Sequence, residues 1–352
     1  MFRYKLFQID GLYFELVDTP DDGEYLIKML DENKRVIYET SLRKNMWAKC
    51  NRKYLADYSI EIWQNNMLRK TISFLEHLKG EKVFISFESS SLGDTIAWMP
   101  YALEFKNKYG CDVVVSTFKN FMFKDSYPEL TFADRGEVVH NIVAMYEIGW
   151  FYNADMEPVM PNTIPLQKTA TNILNLDYQE IRPRISYAPG DNIYGKYITI
   201  STRSTSQCKH WYYWQELVNA LIEKGYKVVE LSMESDRLDG VIYPEDTSIE
   251  NTLKLLHHSH LYIGLSSGIS WLAWAIEKPV VMISNFTQSD HEFSCIRITN
   301  KDVCHGCWNN PMFKFNKGDW NWCPEHEHTD RQFECHKQIT VDQVMGVLSN
   351  HI

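Results

Sequence analysis

The chain has no run of about eighteen apolar residues, the length a membrane-crossing helix needs, so no membrane span is expected. It has no excess of positive charge either. Its 36 lysines and arginines stand against 46 aspartates and glutamates, a formal net charge of −10, whereas a nucleic-acid-binding surface shows as a basic patch. That balance still permits a local basic pocket for a diphosphate. A secretory pattern is missing, because Met1-Phe2-Arg3-Tyr4-Lys5 passes straight into mixed polar and apolar residues, and a cytoplasmic chain is the expectation. There is no internal repeat and no low-complexity tract. With 44% hydrophobic and 14% aromatic residues over 352 positions, the chain can build two or three real cores.

Cysteines are scarce along most of the chain and crowded at its end. Cys50, Cys111, Cys208 and Cys295 are scattered, while the other four form Cys304-x2-Cys307-x15-Cys323-x11-Cys335. A C-x-x-C turn aims two thiolates at one point, and two later cysteines can complete a tetrahedron suited to zinc or a single iron. The segment around them holds Gly306, Pro311, Gly318, Pro324 and five aromatics from Trp308 to Trp322, with little helical or strand periodicity. Such a segment needs a staple. Paired disulfides are the alternative, and a reducing cytoplasm favours metal. His305, His326, His328 and His336 can replace a cysteine, although spare histidines beside a finger are commonly solvated.

The first 75 residues alternate like short strands between polar turns such as Pro20-Asp21-Asp22-Gly23, and predict a small antiparallel unit. From residue 82 the pattern changes. Lys82–Phe87 reads as a buried strand, 94–109 as a helix and 111–116 as a second strand, a βαβ unit of a parallel sheet. Pro158, Pro161, Pro165, Pro183 and Pro189 mark a connection to a second α/β series. There, strands are expected over 197–201, 226–231, 260–264 and 279–283, with helices over 212–223, 249–258 and 269–276. Two doubly wound lobes are the expected body. The implied division is 1–75 as a β-rich domain, 76–188 and 189–300 as the lobes, 301–338 as the cysteine finger and 339–352 as a terminal helix.

Three segments place anion-binding chemistry at strand ends, where open α/β sheets bind ligands. Ser89-Ser90-Ser91-Leu92-Gly93-Asp94 leads from strand to helix. Its Asp94 is placed either to cap the helix or to take a proton from an acceptor hydroxyl. Gly264-Leu265-Ser266-Ser267-Gly268-Ile269 offers free N–H groups and a helix dipole to a phosphate. Between them, Thr202 to Trp211 collects the cations Arg203 and Lys209 and the hydroxyls of Ser204 and Thr205. Lys209 is placed either as a solvated surface lysine or to neutralise a departing diphosphate.

At these segments the chain resembles the heptosyltransferase family of GT-B glycosyltransferases over roughly residues 80 to 290. The matching features are Gly93-Asp94 with Pro100, Lys209 before Trp211, and Ser266 to Ala273 followed by Lys278-Pro279-Val280. Members of the lipopolysaccharide-core branch commonly carry Asp and His where this chain has Ser266 and Trp271. The cysteine segment and the β-like start are similar instead to the bacterial autotransporter heptosyltransferases, which modify serines on surface adhesins and hold iron in a cysteine finger.

That resemblance implies two Rossmann-like lobes, ADP-heptose as donor and an autotransporter passenger protein as acceptor. It implies Asp94 as general base, Lys209 as diphosphate anchor, Ser266, Ser267 and Gly268 as phosphate loop, and Arg203, Ser204 and Thr205 beside them. Glu234 falls where related enzymes hold the ribose or base, in competition with Glu230 and Met233. No divalent metal is implied at the diphosphate. Iron in Cys304, Cys307, Cys323 and Cys335 is favoured over zinc by the resemblance alone. The finger aromatics read as a compact core, and also as a surface for homo-oligomerisation. Rival readings are transfer to a lipopolysaccharide core sugar, a non-catalytic metal scaffold or redox protein, and a nucleic-acid-binding zinc module.

Overall fold

The computed structural model describes residues 1–51, 57–151, 159–232, 237–315 and 322–352. Pro158, Met233, Glu234, Gly318 and Trp320 lie outside the described residues. The chain divides into two units. The first comprises Met1–Ser90, Trp98–Pro161 and Gln167–Gln179, and the second Ser91–Ala97, Asn162–Leu166 and Glu180–Ile352.

Period-two burial builds the start of the first unit. It contains β1 (Arg3–Gln8), β2 (Leu12–Asp18), β3 (Tyr25–Leu30), β4 (Val36–Leu42), β5 (Met46–Cys50), β6 (Ser59–Gln64) and β7 (Met67–Ser73), then the short helix α1 (Phe74–His77). Leu12, Phe14 and Leu16 of β2 are buried on one face, as are Tyr25, Ile27 and Met29 of β3. The turn between β2 and β3 is set by Asp21, whose carboxylate accepts from the Gly23 N–H at 2.8 Å and from the Tyr25 hydroxyl at 2.9 Å. Asn65 and Asn66 both take positive φ between β6 and β7, the conformation a tight hairpin requires.

The α/β part follows with β8 (Lys82–Phe87), α2 (Leu92–Tyr109), β9 (Asp112–Ser116), β10 (Thr131–Phe132), β11 (Ala144–Ile148) and α3 (Leu166–Ile173). The expected boundary at residue 75 does not stand. Strands β1, β2 and β5 extend the α/β sheet in the order β10-β9-β8-β11-β1-β2-β5, and only β4-β3-β6-β7 form a sheet of their own. The joint is the parallel pair β1–β11, where the Gln8 N–H donates to the Val143 carbonyl at 2.8 Å. A pairing between segments so distant in sequence leaves no trace in local alternation.

The second unit holds β12 (Tyr197–Ser201), α4 (Trp214–Glu223), β13 (Lys227–Glu230), β14 (Val241–Ile242), α5 (Ile249–His258), β15 (Tyr262–Gly264), α6 (Gly268–Ala275), β16 (Val280–Ile283), β17 (Ile296–Ile298), α7 (Glu334–Lys337) and α8 (Val341–Leu348). Its sheet is wholly parallel, in the order β14-β13-β12-β15-β16-β17. Strand order reverses between β12 and β15, and ligands of such sheets bind outside the carboxyl ends at that switch point. All five residues of β12 are buried, as a strand covered on both faces must be.

The expected terminal helix exists, but as part of this core rather than an appendage. Ile339, Val344 and Leu348 are fully buried with Leu217, Val218 and Leu221 of α4. Thr340 and Gln343 close a capping box at its start. Leu348→Ala should therefore cost about 3 kcal/mol through the cavity it leaves, read as a lower urea midpoint at unchanged slope. An unchanged midpoint would show that α8 is dispensable.

Candidate functional site

Two of the glycine turns expected from sequence meet in the second unit. A methyl group added to Gly268 would sit 2.8 Å from Leu92 Cβ and 3.2 Å from the Gly93 nitrogen, and one added to Gly93 would sit 3.0 Å from Trp271 Cδ1. The turn carrying Asp94 and the N-terminus of α6 are thus packed backbone against backbone. Asp94 lies in the first turn of α2 and is buried, and its N–H faces Ser91 Oγ at 3.5 Å. Trp271, at the family's usual histidine position, is buried edge-on against Trp274 and Phe293. It makes a wall rather than a polar contact.

The third segment joins the same place. Ser204 Oγ donates to the Ser266 carbonyl at 2.9 Å. Ser267 and Gly268 are half-buried at the start of α6, while Thr205 is exposed. Lys209 ends a single 3₁₀ turn, Gln207–Lys209, and is half-buried. Arg203 lies 3.4 Å from His210 Nδ1. Both line a cavity of about 270 Å³ with Thr202, Gln207, Tyr212 and Leu238. Lys278 of the Lys-Pro-Val stretch serves the fold instead: its ammonium donates to the carbonyls of His257 at 2.8 Å and Ser259 at 2.6 Å, closing the end of α5.

Glu230, a rival of Glu234 in the sequence reading, is a brace. Its carboxylate accepts from the backbone N–H groups of Thr202 at 3.2 Å and Ser232 at 2.7 Å, which shapes the loop after β12. Burial pushes its carboxyl up, against those bonds. Tyr262 was not anticipated. It is fully buried beside the start of α6, bonded to Ser270 at 3.3 Å, and burial pushes its phenol up to about 12.

A buried ion pair also escaped the sequence reading. Arg297 donates to Glu292 Oε2 at 2.8 Å, and Thr287 Oγ1 donates to the same oxygen at 3.1 Å. Burial alone would raise the Glu292 carboxyl, but Arg297, then His291 and the Ser266 hydroxyl, outweigh it and hold it down to about 2. The pair lies near Ser266. A depressed folded value means its stabilisation is complete above the unfolded value of 4.5 and is lost as pH falls toward about 2. Glu292→Gln, which strands a buried guanidinium, should cost about 3–5 kcal/mol at neutral pH and flatten the acid limb of stability. Urea unfolding at a series of pH values checks both, and parallel wild-type and variant curves would remove the pair from the account.

The cysteines expected to bind metal gather at one place. Cys304-x2-Cys307 turns at Gly306, which takes a left-handed φ of 71°. A hydrogen bond from Cys335 holds the Cys304 thiol below its usual range, and pushes Cys335 up. Burial, then the charge of Cys304 and of Cys323, pushes Cys307 up to about 12. Thiols so close oppose one another's ionisation until a cation joins them, so the donor set fits a thiolate-bound metal. Cys304, His326 and Glu334 also bring three ligand atoms within 4.8 Å of one another. Glu334, however, is already held by Arg331 at 2.7 and 2.5 Å. Two residues depart from expectation. Cys208, which looked isolated, is close enough for Cys323 to disfavour its ionisation. His336, grouped with the solvated histidines, is buried, and burial holds its ring down to about 3.

The second unit is thus a parallel sheet with a serine-glycine turn at its switch point, where open α/β sheets bind ligands. The model of glycosyltransferase family 9 (heptosyltransferase) matches residues 97–321, and the chain belongs to that family. The matched stretch begins just after Asp94. The autotransporter heptosyltransferase Aah of Escherichia coli is 34% identical over 93% of this chain and 88% of its own. The crystal structure of TibC from enterotoxigenic E. coli H10407, described as an iron-containing dodecameric glycosyltransferase, superposes with a TM-score of 0.85. It is 27% identical and covers 99% of this chain and 95% of that one. A second TibC structure contains ADP-D-beta-D-heptose. BimC of Burkholderia thailandensis, named an inactive autotransporter heptosyltransferase, is 28% identical over 92% of this chain and 81% of its own.

Proposed function

We propose that this chain is a cytoplasmic protein O-heptosyltransferase of GT-B architecture that moves heptose from ADP-heptose to serine hydroxyls of an autotransporter adhesin, with inversion. The relatives named for this activity support the reading, since they match almost the whole chain and not only the nucleotide-binding part. One observation in the site carries it. The close approach of Gly93 and Gly268 brings the Asp94 turn against the loop expected to hold the donor phosphates.

In this reading the Ser266–Gly268 loop and the N-terminus of α6 bind the diphosphate, with Lys209, Arg203, Ser204 and Thr205 around it. Glu234, outside the described residues, remains the proposed ribose or base contact. Serine hydroxyl is a weak nucleophile, and Asp94 accepts its proton as the bond from the sugar's anomeric carbon to the ADP oxygen breaks. The new bond forms on the opposite face, so no covalent sugar–enzyme species is needed. Lys209 and the helix N-terminus offset the charge that collects on ADP. Cys304, Cys307, Cys323 and Cys335 would hold one iron, with zinc as alternative, and such a closed site supplies shape rather than Lewis acidity. A homo-oligomer is the proposed assembly, in keeping with the dodecameric TibC.

Family membership includes a relative named inactive, so turnover is argued from Asp94. Asp94→Asn should keep ADP-heptose binding and lose transfer by two or more orders of magnitude, roughly the weight of a general base. Mass spectrometry of a co-expressed passenger domain should find heptose-sized additions on serine with the wild type and none with the variant. Normal modification by Asp94→Asn would remove it as base, and nucleotide binding without any serine addition would point to another acceptor. Gly268→Ala should separate the two turns and lower kcat/KM about a hundredfold, the usual penalty of an ångström's misplacement. Kinetics matching the wild type would show that the close approach is not needed.

A further inference from the structure

One buried asparagine stands at the root of the finger, and every hydrogen-bonding group it has is turned toward it. Asn285 lies two residues beyond β16 and is 1% exposed. Its side-chain amide donates to the Asn300 carbonyl and to the Cys335 carbonyl, both at 2.8 Å. Its side-chain oxygen accepts from the Asn300 N–H at 2.9 Å. Residues 300 and 335 bracket the cysteine segment, so one planar amide clamps its entry to its exit. Asn300 repeats the clamp, donating its own amide to the Gln338 carbonyl at 2.9 Å.

The backbone of Asn285 faces the same way. Its carbonyl accepts from the Gly306 N–H at 2.7 Å, and the next carbonyl, that of Phe286, accepts from the Trp308 N–H at 3.0 Å. Two main-chain bonds therefore lay the Cys304-x2-Cys307 turn along residues 285–286. The Asn285 N–H donates to His336 Nε2 at 3.2 Å. That nitrogen accepts, which leaves the ring proton on Nδ1, 3.5 Å from Cys335 Sγ. All five bonds of Asn285 end on residues 300 to 336. An aspartate there would set acceptor-only oxygens against two carbonyls.

We propose that Asn285 is the positioning residue of the cysteine metal site, holding the Cys304–Cys307 turn and Cys335 in register for the metal. This rests on the reading of Cys304, Cys307, Cys323 and Cys335 as ligands of one metal. Thiolates on an irregular segment lose affinity to the entropy of ordering their backbone, and a clamp made at folding lowers that loss. Groups that orient metal ligands commonly carry about ten- to a hundredfold in affinity.

Cobalt(II) is the probe, loaded into the full-length protein and competed away with a chromophoric chelator. Asn285→Asp keeps the size and the acceptor but not the donors, and should hold cobalt about ten- to a hundredfold more weakly. Leu348→Ala, which weakens the core through α8, should hold it as the wild type does. Equal affinity in Asn285→Asp and wild type overturns the proposal. So does an equal loss in Leu348→Ala, because affinity would then follow stability alone. In the wild type, cobalt should slow hydrogen exchange at the Asn285 and Asn300 N–H groups, since coupling between metal and clamp is reciprocal. That comparison decides the matter if Asn285→Asp does not fold, and unchanged exchange overturns the proposal. Cys304→Ser separates the two levels. If it loses cobalt while Asn285→Asp does not, only the role of Asn285 falls; if Cys304→Ser holds cobalt as the wild type does, the ligand reading falls first.

Discussion

The second unit depends on two backbones lying closer than any side chain would allow. Where the Leu92–Gly93 turn meets Gly268, a single methyl would sit 2.8 Å from a carbon already present. Everything proposed for the site follows from that approach. It puts a buried aspartate and the N-terminus of α6 in one neighbourhood. Dipoles fixed in this way need no reorganisation when charge develops, the main source of electrostatic catalysis.

Such a loop must be stiff, and its stiffness comes from below. Tyr262 and Ser270 lie beneath it, and the Glu292–Arg297 pair lies behind it with side chains 1% and 8% exposed. A buried pair of this kind is weak evidence for stability, because hydrophobic replacements often do as well. Its value here is directional. Arg297 reaches both Thr287 and Glu292, and Thr287 also donates to Glu292, so the three form one buried cluster. The family's lipopolysaccharide branch commonly has an aspartate at that serine position; this chain keeps its carboxylate one layer further back.

The parallel half of the fold was legible because its signals are local. Buried strands of four to six apolar residues, each followed by a glycine or serine turn and a helix, give Lys82–Phe87, Tyr197–Ser201 and Val280–Ile283 to within a residue. The three anion-binding segments were legible for the same reason, as strand-end loops. What escaped depends on partners far along the chain. Arg3–Gln8 reads as mixed polar sequence until β11 pairs with it. Cys208 and His336 were misread in the same way, one as scattered and one as solvated. Each owes its setting to a neighbour about fifty or more residues distant, and no spacing rule reports such a neighbour.

The finger has a physical logic that neither the sequence pattern nor the nucleotide site explains alone. Residues 299 to 338 contain only the 3₁₀ turn Cys307–Asn309 and α7 as regular structure among the described residues, and their internal hydrogen bonds are mostly those of turns. Their thiols oppose one another's ionisation, and a bound cation converts that conflict into binding energy, which for such segments is folding energy. The carbonyls of Ile339 and Lys337 accept from Trp211 and Tyr213, and so join this segment to the chain that follows Lys209. A transferase that offsets diphosphate charge with a lysine needs that lysine fixed before the donor arrives. A long, flexible side chain on a weak turn would lose in conformational entropy what it gains in attraction.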